Sequence, residues 1–170
     1  MKIQRQFTVN ISADRVWEIL GPQYVNAADW VSSVHVSHGQ NTSSPPQNAP
    51  CSGRVCETDL GPFRETITHY DEHKRHLAYS AQGEKMPFFV KQLSNSWIVT
   101  PLTDNTAQVD MCMKADLLPL FNIVMGPVMR LQMGGIVNNA TEELKYFAEN
   151  GAPHPRKVEA QHNAQRKVAG

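Results

Sequence analysis

The stretch LGPFRETITHYDE, residues 60–72, places a carboxylate inside an apolar row. If Gly61-Pro62 is a turn and the pleat alternates through it, Leu60, Phe63 and Ile67 share one face of the strands, with Glu65 between them. An unpaired ion in such a place loses several kcal/mol of hydration. Glu65 must therefore find a cation, keep water, or take up a proton. A protonated or partly paired Glu65 can donate to a ligand carbonyl or serve as a general acid or base. Arg5, on the inward row of the first strand, is the candidate cation. His69, at the end of the Glu65 row, is a candidate second proton group. The plainer alternatives are a glutamate at the sheet rim, solvated or paired with a surface base, and a surface histidine.

Other residue types point toward gripping rather than reacting. Tyr79, Asn95 and Trp97 fall on rows that also carry Leu77, Leu93 and Val99. Tyr and Trp offer a broad apolar body with one polar handle. Asn is disfavoured in strands, and its amide needs partners when buried. Met111, Met113, Met125, Met129 and Met133 cluster late in the chain, where flexible thioethers could line a wall that adapts to varied apolar ligands. Ordinary core packing is the plainer account of Tyr79, Trp97 and the methionines, whereas a buried Asn95 amide calls for a pocket water or ligand. The seven histidines and the cysteines Cys51, Cys56 and Cys112 have no metal-ligand spacing, and no phosphate loop, nucleophile elbow or dinucleotide fingerprint occurs. The sequence thus implies no metal and no cofactor.

The elements that must position these groups follow from periodicity. Ile3, Phe7, Val9 and Ile11 alternate with polar residues as a half-buried strand, with Arg5 as the one charge in the stripe. Ser12 can cap a short helix, ADRVWEIL, and QYVNAADW reads as a second. After the strand VSSVHVS comes a polar, Pro-rich segment at 38–50, read as a mobile loop. Further strands are expected near 53–60, 63–70, 76–82, 90–100 and 106–115. Met129, Met133, Ile136, Val137, Ala140, Leu144 and Phe147 fall in a helical arc about 100° wide, as a core-facing helix requires. Pro127 suits its first turn, Gly151 its end, and Gly134-Gly135 a kink. The expectation is an α+β domain over 1–151: a curved seven-stranded antiparallel sheet wrapped around one long C-terminal helix, with two short helices after the first strand. Residues 152–170, poor in apolar side chains, are expected to be a disordered tail.

The 170 residues carry 16 basic and 16 acidic side chains, giving no overall electrostatic footprint for nucleic acid or anionic membrane, which need a basic excess. The opening MKIQRQFTVN lacks a secretory core, and the most apolar run, 117–129, is shorter than the ~20 residues of a membrane helix. An odd cysteine count without an export signal points to reduced thiols in a cytoplasm.

In motif order the chain resembles the START/SRPBCC superfamily, in its polyketide cyclase/dehydrase-like branch with the helix-grip fold. The resemblance is carried by FTVNISADRVWEIL, ADW at 28–30, GRV at 53–55, FRETITHYDEHKRHLAYSAQG, MP at 86–87, SWIVTPLTDNTAQVDM and ATEELKYFAENG. It implies an internal cavity for lipids, polyketides, quinones or similar molecules, with Glu65 in a recurrent position and Trp30 of ADW among the contacting residues. It does not fix a reaction, because function lives in the site and not the fold. Two departures stand out. Cys56 occupies the place where an arginine often follows the G-x-V glycine, and the 38–50 loop is longer and more polar than usual. Three functions remain open: a binder of a small hydrophobic or amphipathic molecule, a cyclase or aromatase using Glu65 as acid/base, and a protein-interaction or co-chaperone module.

Overall fold

The computed structural model describes residues 1–169, with side chains through 166. Strand β1 (Lys2–Val9) leads into α1 (Ala13–Leu20) and a 3₁₀ turn (Tyr24–Asp29). Then follow β2 (Val34–Gln40), β3 (Gly53–Thr58), β4 (Gly61–Asp71), β5 (His76–Gly83), β6 (Val90–Thr103) and β7 (Thr106–Leu117). The chain ends with α2 (Pro119–Val124), α3 (Gly126–Asn150) and α4 (Pro155–Ala169). The strands form one antiparallel sheet in the order β1-β7-β6-β5-β4-β3-β2. This is the expected α+β architecture, seven strands with a long C-terminal helix.

Local chemistry explains most boundaries. Ser12 Oγ accepts from the Arg15 amide at 3.4 Å and starts α1, and Gly151, at φ +65°, ends α3 in the left-handed conformation. Val137, Thr141, Leu144 and Ala148 are the buried stripe of α3, and Val137, Leu144 and Ala148 share the main core with Val9, Trp97, Val99 and Val109. The helix runs through Gly134-Gly135 without a break, and the chain turns at Met125 instead, between α2 and α3.

Three placements differ from the sequence reading. Thr58 pairs with Gly61, so the β3–β4 turn is Asp59-Leu60, with Gly61 at φ +95° just beyond it. Leu60 is therefore at the tip, 57% exposed, and not in the inner row. A bulge between Ile67 and His69 resets the alternation of β4. Downstream of it Tyr70 joins the core against Trp17, and His69 turns to the other face.

The third difference is the tail. Residues 155–169 form a helix, and only Gly170 lies outside the described residues. What the composition lacked in apolar side chains is supplied by ionic and hydrogen-bonded contacts. Lys157 is buried and its Nζ donates to the Val34 carbonyl at 2.7 Å. Arg156 pairs with Glu142 at 3.0 Å and with the fully buried Glu143 at 2.9 Å. Glu143 also accepts from the Ser32 amide at 2.8 Å. The carbonyl capped by Lys157 belongs to β2, an edge strand of the sheet.

Candidate functional site

The cross-strand register stacks the inner face into rungs. One runs Tyr70, Leu77, Trp97, Met111 and Arg5; the next Ile67, Tyr79, Asn95, Met113 and Ile3; the third Glu65, Ala81, Leu93 and Ala115. Glu65 thus lies on the inner face as its row predicted, with its side chain 13% exposed.

Its partner is not Arg5. Arg54 Nε donates to Glu65 Oε2 at 2.7 Å, and the Tyr24 hydroxyl donates to the same oxygen at 2.8 Å. Arg5 does point to the helix side of the sheet, but there it donates to Asn138 Oδ1 on α3 at 2.6 Å. Arg54 sits directly opposite Glu65 in the β3–β4 hairpin. A Cβ on the preceding Gly53 would overlap the Glu65 carbonyl, so glycine is what allows the two strands to approach here. The guanidinium also donates to the Tyr24 carbonyl and lies over two rings, 4.1 Å from the centroid of Tyr24 and 5.5 Å from that of Tyr79. Burial pulls the Arg54 pKa down, but the facing Glu65 carboxylate together with Tyr24, Tyr79 and Cys56 outweighs it and holds the group well above the ordinary arginine value. Burial likewise pushes the hydroxyls of Tyr24 and Tyr79 above the usual phenol range, so both remain donors.

A second polar link continues from this pair. Asn95 Nδ2 donates to the Tyr79 hydroxyl at 3.0 Å, while Asn95 Oδ1 is buried with no partner among the described residues. The other such atom, Trp17 Nε1, lies apart from this network, where the Trp17 ring packs on Tyr70.

The apolar surroundings form two bodies. Tyr24, Trp30, Ile67, Tyr79, Trp97 and Met111 belong to the main core, with Met113 and Met133 packed on its margin. A smaller cluster of Val90, Ala115 and Leu117 gathers Phe89, Leu93 and Met129. Met125 is half-buried at the turn into α3. The Asn95 and Glu65 rungs lie where the two bodies meet, and their alanines, Ala81 and Ala115, are short. His69 is not part of this site. It packs at a tilt against His76, ring centroids 4.4 Å apart, on the outer face, where burial and the neighbouring ring lower the His76 pKa. Two open clefts lie elsewhere, one of about 570 Å³ along the outer-face residues Thr68, Ser80, Ser94 and Lys114, the other beside α4.

Sequence reasoning missed Arg54 and Tyr24. Arg54 directly follows the glycine of GRV, two residues before Cys56. It carried a signal only once the turn is known: counted from Asp59-Leu60 it faces Glu65, whereas counted from Gly61-Pro62 Thr58 would. Tyr24 had none, since it arrives from a 3₁₀ turn distant in sequence.

An open antiparallel sheet gripping a long C-terminal helix, with a polar cluster on the gripped side, is a START-like domain. The chain belongs to the family described as "Polyketide cyclase / dehydrase and lipid transport", which matches residues 1–149. Among solved structures it is similar to a START superfamily protein from Mycobacterium smegmatis, with 13% identity and a TM-score of 0.70 over 87% of this chain and 97% of that one. It is also similar to truncated norcoclaurine synthase from Thalictrum flavum, with 12% identity and a TM-score of 0.68 over 88% and 94%. The di-domain ARO/CYC BexL from the BE-7585A biosynthetic pathway matches with 11% identity and a TM-score of 0.66 over 86% of this chain and 47% of its own. At these identities the likeness is one of fold. No curated protein matches the sequence.

Proposed function

We propose that the protein binds a small hydrophobic or amphipathic molecule between the inner face of the sheet and α3. The carrying observation is Asn95 Oδ1, a buried acceptor without a partner at the meeting of two apolar bodies. Leaving such an atom unpaired costs about 1–3 kcal/mol, and a ligand hydroxyl or amide would offset it. Met113, Met129, Met133 and Leu93 would supply an adaptable apolar wall. Glu65 Oε1, which has no hydrogen bond among the described residues, is a second place for a ligand donor. Because Oε2 already serves both Arg54 and Tyr24, the geometry favours Glu65 as an anchor over a cyclase-type proton shuttle.

The test is occupancy. Native mass spectrometry of the purified protein should show an added mass that denaturation releases, and 1-anilinonaphthalene-8-sulfonate should brighten on binding the emptied protein. Met113→Trp, which would fill the proposed ligand space beside Asn95, should weaken dye binding roughly ten-fold without abolishing the cooperative melt. A bare mass with no dye binding overturns the reading, as does dye binding that Met113→Trp leaves unchanged.

A further inference from the structure

The segment from α2 into the first half of α3 is apolar on both sides. Phe121, Met125, Met129 and Met133 are half-buried on the inward side. On the outward side Leu120, Ile123, Val124, Val128 and Leu131 follow helical spacing and are 71%, 77%, 65%, 50% and 81% exposed. Phe88, 79% exposed, extends this surface from the β5–β6 connection, with its ring edge-on to Phe121 at 5.3 Å. Single exposed apolar residues are ordinary, but a contiguous patch of six large ones marks a surface that is covered in use. A helix apolar all round is normally buried in protein or in lipid. No described helix is long and apolar enough to cross a membrane.

Charge selects the occupant. Between Leu117 and Thr141 the one charged residue is Arg130; the adjoining connection carries Lys85 and Glu84, and the strand ends beside it carry Lys91 and Asp116. None of these three bases is paired with a carboxylate among the described residues. A second copy of the chain would bring three bases against the three bases of its partner around the patch, with Glu84 and Asp116 too few to answer them. Anionic headgroups would pair with all three.

We propose that this face docks on an anionic lipid surface, with the outward stripe of α2 and α3 in the headgroup boundary and Arg130, Lys85 and Lys91 against phosphates. The inward side of the same segment carries Phe121 and the methionines that face the proposed ligand space. If the binding reading holds, docking would open that space toward the bilayer and make the ligand a membrane-resident amphiphile. That last step rests on the binding reading; the docking does not.

Co-sedimentation tests it. The full chain should pellet with vesicles of phosphatidylcholine mixed with phosphatidylglycerol, less with phosphatidylcholine alone, and less again as salt is raised. The double variant Ile123→Glu/Leu131→Glu alters two exposed positions and should melt normally, while losing roughly ten-fold or more of its vesicle partitioning. Wild type that stays in the supernatant with both vesicle types overturns the proposal. So does a concentration-dependent dimer that the double variant splits, because that outcome assigns the face to a second copy. Pelleting together with a failed occupancy test would leave the docking standing and remove only the bilayer-facing ligand space.

Discussion

Arg54 and Glu65 are nearly sealed from water, with side chains 9% and 13% exposed, and each is bonded to the other and to Tyr24. Two desolvated charges bring little net stability as a pair, yet removing one strands its partner. Arg54→Met should therefore destabilise the protein by about 3–5 kcal/mol, towards the lower figure because Glu65 keeps the Tyr24 bond and some contact with water. The double variant Arg54→Met/Glu65→Leu should recover most of that loss, and urea denaturation of the two variants checks the contrast. Equal losses in both would mean that the ring contacts of Arg54, not its charge, hold the site. At this scale the sequence was half legible. The period of two put Glu65 on the inner face correctly. It failed at His69 because the bulge at Thr68 is set by how β4 fits β5, and nothing in the residue types ETITH announces it.

The helices separate what pattern shows from what it hides. The arc from Met129 to Phe147 was visible in the sequence as a helix, but periodicity could not say that only Val137 onward packs tightly. Ile136, placed on that arc, is 38% exposed. The failure at α4 has a different origin. Its fastening depends on Arg156 and Lys157, residue types that read as solvated surface, and their partners Glu143 and Val34 are distant in sequence. The family match stops at residue 149, so α4 lies outside it. Arg156→Ala should cost about 1–3 kcal/mol, since the bond to exposed Glu142 is screened by water while buried Glu143 is left with the Ser32 amide. Hydrogen exchange should locate the effect, with residues 155–166 losing protection while the second half of α3 retains it. Uniform loss along both helices would show that α4 and α3 unfold as one unit.

Across the molecule, stability should follow the division of its apolar contacts. The main core joins β1, β4–β7, α1 and the second half of α3; the smaller cluster holds the start of β6, the end of β7 and Met129 with few buried side chains. A long helix anchored at one end, whose other end carries exposed Val128 and Leu131, can open there without disturbing the core. Amides of α2 and of α3 up to Gly135 should therefore exchange through local opening, almost independently of denaturant. Those of residues 137–148 should exchange only through global unfolding, with the full denaturant dependence. The overall fold was legible because alternation and helical spacing are written into every element, whereas this gradient depends on which faces meet and could not be read from periodicity. Anything that covers the loose end and joins the two apolar bodies, an internal ligand or a lipid surface, should raise protection in 119–135 first. If α3 instead exchanges as a single cooperative unit from Gly126 to Asn150, the two apolar bodies act as one, and the movable wall that the proposed site requires does not exist.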